Sequence, residues 1–224
     1  IMEISHTLNR GVDKRPIFMD DQDRFRFIHD LFEFNNQDWV NTTFRDFSKV
    51  NDIASRAIKK DSRKLLVDVH MFCLMPNHYH LMLSPLVENG VSRFMKKLNM
   101  GYAKYFNQRY QRQGALFEGR YKAVLVNTER HFIHLPFYIH LNPLDLVTPE
   151  WRQGKIYNLD KVIKFLESYR WSSFLDYCGK DNFPSVTSRK FLLGFFEGSK
   201  NYRQSVMGWL REMNLNDVKN IMLE

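Results

Sequence analysis

The chain has 224 residues, with 33 Lys and Arg against 25 Asp and Glu and a formal net charge of +8, so its simplest partner is a polyanion such as nucleic acid. Its length suffices for one buried core, alone or with an appendage. Cys73 and Cys178 are its 2 cysteines, which excludes a disulfide framework or a cysteine-rich zinc module. No apolar run approaches the roughly 18 residues of a membrane-spanning helix, so we expect a soluble, cytoplasmic protein.

In chain order, residues 3–8 read as a first strand ending at the turn Asn9, Arg10, Gly11. Residues 20–34 read as a helix, with Phe25, Ile28, Leu31 and Phe32 at helical spacing and Asp20 or Asp21 as N-cap. The pattern weakens over residues 35–63, where a short helix around 47–58 would lie in a surface excursion. Residues 65–75 are rich in β-formers and predict an antiparallel hairpin through Pro76 and Asn77 into the strand that follows. Residues 91–109 give the clearest helix: Val91, Phe94, Met95, Leu98, Tyr102, Tyr105 and Phe106 form one stripe, with Arg93, Lys96, Lys97 and Lys104 largely off it. Residues 110–119 read as an exposed loop and 121–126 as a strand. A helix from Thr128 and Glu129 to about Leu141 follows, ended by Asn142 and Pro143, with Pro136 kinking it or delaying its start. The tail, residues 181–224, reads as a helical extension after a main domain of residues 1–180.

Chemistry concentrates in MPNHYHLMLS at 75–84. Side chains alternate along a strand, so His78 and His80 share a face with Met82 and Ser84, while Tyr79, Leu81 and Leu83 take the core face. Two adjacent imidazoles looking into a cleft would accept a divalent cation. The competing reading for a single strand histidine is a hydrogen-bonded core or surface residue.

Tyr138 and Asn142 are one helical turn apart, which sets a phenol beside an amide oxygen. A phenol of pKa about 10 is a weak nucleophile at neutral pH without a metal or base beside it. With such help it attacks phosphorus in DNA and leaves a 5′-phosphotyrosine. By composition Tyr102, Tyr105, Tyr110 and Tyr121 are rival nucleophiles.

Taken together, LNRG at 8–11, MPNHYHLML at 75–83, GALFEGRYK at 114–122, YIHLNP at 138–143 and YRWSS at 169–173 resemble the single-tyrosine transposases of the HUH endonuclease superfamily, IS200-like and within the REP-associated group. The resemblance implies an α+β, ferredoxin-like core with a central antiparallel sheet flanked by helices. It implies His78, His80 and Asn142 as metal ligands, Tyr138 as catalytic nucleophile with Asn142 beside it, and Mg2+ or Mn2+ as cofactor. The implied substrate is single-stranded or hairpin DNA, its backbone held by Arg10, Arg93, Lys96, Lys97, Arg109, Arg112, Arg120 and Lys122, with aromatic rings stacking on unpaired bases. Phe117 stands where many relatives carry tryptophan and preserves an apolar anchor.

Three functions are thus in view: a nicking and strand-joining enzyme, a domesticated hairpin-binding protein that no longer cuts, and a metal hydrolase. The last lacks a carboxylate near the histidines to act as base. A homodimer is compatible with cutting two ends.

Overall fold

The computed structural model describes residues 3–38 and 63–212, so the helix expected around 47–58 and the end of the tail lie outside the described residues. Strand β1 (Ser5–Arg10) leads into helix α1 (Asp21–Glu33), hairpin β2 (Val67–Met75) and β3 (His78–Pro85), helix α2 (Gly90–Arg109) and strand β4 (Lys122–Leu125). The sheet order is β2-β3-β1-β4 and every neighbouring pair is antiparallel. Each helix therefore carries the chain past one strand to the next, the split arrangement of a ferredoxin-like α+β core. β1 extends two residues beyond the sequence reading, because Asn9 and Arg10 still pair with Tyr79 and His78.

Local chemistry explains the helices. Asp20 caps α1 by accepting from the Asp23 amide at 3.1 Å. Phe27, Ile28, Leu31 and Phe32 of α1 then pack with Phe94, Met95, Leu98, Tyr102 and Phe106 of α2 against Tyr79, Leu81 and Leu83 on one sheet face. The rings of α1 and α2 are thus largely core and leave few aromatic faces free to stack on bases. Leu116 and Phe117 are also buried, which corrects the reading of residues 110–119 as wholly exposed. Phe117 packs edge-on to Tyr79 at 6.2 Å and pairs with Gly11.

The other face carries Met71, Cys73, Met75 and Met82 beside the two histidines, and it is covered too. Helix α3 (Glu129–Leu141) lays Leu135, Tyr138 and Ile139 into this second core. So do α4 (Leu159–Ser168), the short α5 (Phe174–Tyr177), α6 (Lys190–Phe195) and α7 (Ser199–Glu212), which supply among others Ile163, Phe174, Leu192, Tyr202 and Val206. The open cleft expected over the histidines is therefore filled. Exposing the methionines of this face would forfeit roughly 1.5–3 kcal/mol each, too much for a fold whose total margin is about 5–15 kcal/mol. Of the tail, Phe183 and Val186 join the first core, and Leu192, Phe196, Tyr202, Val206 and Leu210 join the same apolar cluster as α3.

Two segments close the sheet's borders. Trp171 O accepts from Leu74 N at 2.9 Å and Phe72 O from Ser173 N at 3.0 Å, so YRWSS shields the β2 edge. Residues 11–18 fold over the hairpin turn, with Gly11 N donating to Asn77 O at 2.8 Å and Ile17 N to Pro76 O at 2.8 Å. Among the described residues no helix is long and apolar enough to cross a membrane.

Buried His70 accepts at Nε2 from Ser84 Oγ at 2.8 Å and donates from Nδ1 to Ser188 O at 3.3 Å. Burial lowers its pKa below the ordinary value, the Ser188 carbonyl and Asp68 opposing this in part. The unfolded histidine then takes a proton first, so its contribution is full above about pH 6.5 and is lost as pH falls. Urea unfolding should show lower stability at pH 5 than at pH 7.5, with a smaller difference in His70→Gln; an unchanged difference would count against this assignment.

Candidate active site

Strand alternation puts the rings of His78 and His80 on one face, with centroids 5.0 Å apart and planes at 86°. Asn77, in the turn before them, accepts from His78 Nδ1 through Oδ1 at 2.6 Å. A carboxamide oxygen cannot donate, so His78 carries its proton on Nδ1 and its lone pair on Nε2. His80 Nδ1 shares a hydrogen bond with His6 Nε2 at 2.9 Å, and those rings stack at 5.2 Å. Such outer contacts fix the tautomer and orientation of a metal-binding imidazole.

His6 was not found from sequence. It reaches the site because Leu8 opposes His80 in the β1–β3 register, which leaves His6 two residues along on the same face. The available signal was strand parity, and it works only once the register is known.

Helix α3 brings the phenol. Thr128 Oγ1 caps it by accepting from His131 N at 3.1 Å. The helix runs unbroken from Glu129 to Leu141 with Pro136 inside, so the proline does not delay its start. The Tyr138 ring meets His80 edge-on at 5.5 Å and His6 at 5.9 Å. Asn142 begins a 3-10 turn, Asn142–Leu146, and donates from Nδ2 to Tyr138 O at 3.1 Å. That bond runs to the tyrosine's backbone carbonyl and records the one-turn spacing of the two residues.

The rival tyrosines lie elsewhere. Tyr102, Tyr105, Tyr110 and Tyr121 all pack with the core on the far face of the sheet. Tyr105 and Tyr110 donate to Asp23 at 2.9 and 2.8 Å, and burial pushes all four phenols above their ordinary pKa.

Arg152, also missed from sequence, caps the cluster. Its Nη2 donates to Asn142 Oδ1 at 3.3 Å, and its guanidinium lies 5.4 Å from the Tyr138 ring centroid. Asp145 holds it by accepting from Nη2 at 2.6 Å and Nε at 2.8 Å, and also accepts from Trp151 Nε1 at 2.6 Å. Two successive 3-10 turns, Asn142–Leu146 and Pro149–Gln153, fold these residues back over the helix end. No local spacing announces such a contact. In this arrangement Tyr138, His80 and Asn142 are 0% exposed.

Among the described residues no three His, Cys, Asp or Glu side chains gather into a metal cage. The groups that suit a cation are the imidazoles of His78 and His80, with the Asn142 amide at the end of the adjoining helix.

The basic residues divide between the faces. Arg10 opposes His78 and Lys122 opposes Leu8, so both lie on the histidine face. Arg93, Lys96 and Lys97 lie on α2, across the sheet, and Lys97 donates to the carbonyls of Asn36 and Asp38 at 2.5 and 2.8 Å. Arg109 is paired with Asp20 and Asp23 at 2.6 Å each, and its hydrogen bond holds Asp20 below the usual carboxylate range. Arg120 is exposed in the loop before β4, and Arg112 lies over Phe106.

The fold and the cluster define an α+β protein in which a histidine pair on a central strand meets a tyrosine on a covering helix. Residues 42–142, a little under half of the chain, match the family described as "Transposase IS200 like". A solved structure of a REP-associated tyrosine transposase bound to a REP hairpin is similar at 12% identity and a TM-score of 0.46, over 84% of this chain and 85% of that one. No curated protein matches the chain.

Truncating Arg152 removes the cap and leaves Asp145 without its cation. Arg152→Ala should cost about 1–3 kcal/mol in urea unfolding. It should also raise iodination of Tyr138, measured by peptide mapping, severalfold over wild type. Unchanged labelling would show that Arg152 does not shield the phenol.

Proposed function

We propose that the chain is a metal-dependent nickase and strand transferase, a transposase, acting on single-stranded DNA next to hairpins, with Tyr138 as nucleophile. The observation that carries this is the contact of Tyr138 with His80, 5.5 Å between ring centroids, on the sheet face where His78 also lies. The match of residues 42–142 to the IS200-like transposase family supports it.

Tyr138 Oη forms a bond to phosphorus as the bond from phosphorus to the 3′ oxygen breaks. The phenol proton leaves to solvent or a base, the departing oxygen gains one, and the 5′ phosphate stays on the tyrosine. A divalent cation, Mg2+ or Mn2+, bound through His78, His80 and Asn142 would polarise the phosphoryl oxygen and stabilise charge on the leaving oxygen. His6 and Asn77 hold the two imidazoles in orientation. Arg10, beside His78, is placed for a neighbouring phosphate. Arg152 occupies one of the two lone pairs of Asn142 Oδ1 and leaves the other for a cation, and its guanidinium would bind the scissile phosphate. An extruded single strand presents its phosphodiester without the cost of opening a duplex.

The closed site favours a second reading. With Tyr138 and Asn142 fully buried, a domesticated protein that binds hairpin DNA without cutting it would look the same.

Labelled hairpin oligonucleotides with Mn2+ or Mg2+, resolved on denaturing gels, separate the two. Wild type should form a covalent adduct that needs metal, and Tyr138→Phe should form none. Binding without an adduct across a broad set of hairpins would install the second reading, and an adduct that survives in Tyr138→Phe would move the nucleophile elsewhere.

A further inference from the structure

At the end of the sheet where His78 lies, a cavity of about 340 Å3 is lined by Arg15, Pro16, Met19, Phe106, Tyr110 and Arg112. We propose that this cavity receives one unpaired base of the bound DNA strand, with Arg15 and Arg112 on the flanking phosphates. The proposal rests on the single-stranded DNA reading above and adds a place where the strand is gripped away from the reacting phosphate.

Its chemistry suits a base. Half-buried Tyr110 supplies the aromatic surface, backed by the core ring of Phe106 at 4.6 Å, and Met19 is an adaptable thioether 58% exposed at the rim. Stacking on such a surface is sequence-tolerant, because every base has a π face. The volume lies at the small end of ligand cavities, roughly 300–1,000 Å3, which fits one base.

The charge distribution selects a polyanion over an apolar peptide. No carboxylate lines the cavity. Of the carboxylates around it, Asp20 and Asp23 are already bound by Arg109, and Asp23 also accepts from Tyr110 Oη at 2.8 Å. Arg112 lies with its guanidinium carbon 5.6 Å from the Phe106 centroid, and its Nη1 is buried with no hydrogen-bond partner among the described residues. Arg15 donates to Val12 O at 3.1 Å and meets exposed Asp13 only at 3.5 Å, a weak contact that a phosphate can replace. A second copy of the chain docking through the same patch would set like charges together.

The cavity is also tied to the active site. Its wall, residues 15–19, continues from the segment that bonds to Pro76 O and Asn77 O, and Asn77 orients His78. Gly11 permits that fold, since a Cβ there would stand 2.3 Å from Arg15 O.

The test uses hairpin oligonucleotides with single-stranded extensions in which 2-aminopurine is moved one position at a time. Wild type should change the fluorescence strongly at one position of the extension. Arg15→Ala with Arg112→Ala should weaken binding about tenfold and flatten the salt dependence of log K by roughly one to two counterions. Met19→Trp, which fills the cavity, should remove the fluorescence change. Wild-type fluorescence, affinity and salt slope in these variants would overturn the proposal. So would a dimer in sedimentation that Met19→Asp abolishes while DNA affinity stays the same, which would give the cavity to a second copy. Adduct formation by wild type on the same oligonucleotides keeps the two readings apart: an adduct without any effect of the cavity variants sinks the base pocket alone, and a cavity effect without an adduct sinks the nuclease alone.

Discussion

The register of β1 against β3 fixes what faces what. Pairing Leu8 with His80 and Arg10 with His78 puts His6, His78, His80 and Arg10 on one side of the sheet, and Asn9 and Tyr79 on the other. A slip of one residue would send His6 into the opposite core and break its bond to His80. Both sheet faces bury apolar side chains, so the slip would cost several buried groups at once, and the same packing that holds the fold holds the histidine geometry.

Covering the histidine face has a consequence for activity. Helix α3 must lie there to bury the methionines, and in doing so it presses Tyr138 against His80 and seals it from solvent. The closure is completed by Arg152, which bridges Asn142 and Asp145 over the phenol ring. One guanidinium thus holds the amide, the tyrosine and the turn after the helix together. Under the proposed function DNA reaches the phenol only if this bridge yields, and a phosphate is the type of group that competes for it.

Much of this was legible in the residues. The hairpin through Pro76 and Asn77, the stripes of α1 and α2, and the Tyr138–Asn142 spacing depend on local pattern, and the structure reproduces them. Contacts between distant segments were not legible. His6 looks like any strand histidine until β1 is registered against β3, and Arg152 looks like any surface arginine until two 3-10 turns fold it back. The histidine face is closed and not an open cleft, because Met71, Met75 and Met82 bury on it beneath the covering helices. The basic residues could be counted but not sided, so Arg93 and Lys96 fell across the sheet from the histidines while Arg10 fell beside them.

The central claim is that Tyr138 becomes joined to DNA. After reaction with a hairpin oligonucleotide and nuclease trimming, tryptic cleavage following Arg130 and Arg152 isolates a peptide in which Tyr138 is the only tyrosine. Mass spectrometry should find the nucleotide mass on that peptide and fragment ions should place it on Tyr138. A nucleotide on any other tyrosine peptide, such as the one carrying Tyr121, would contradict the account.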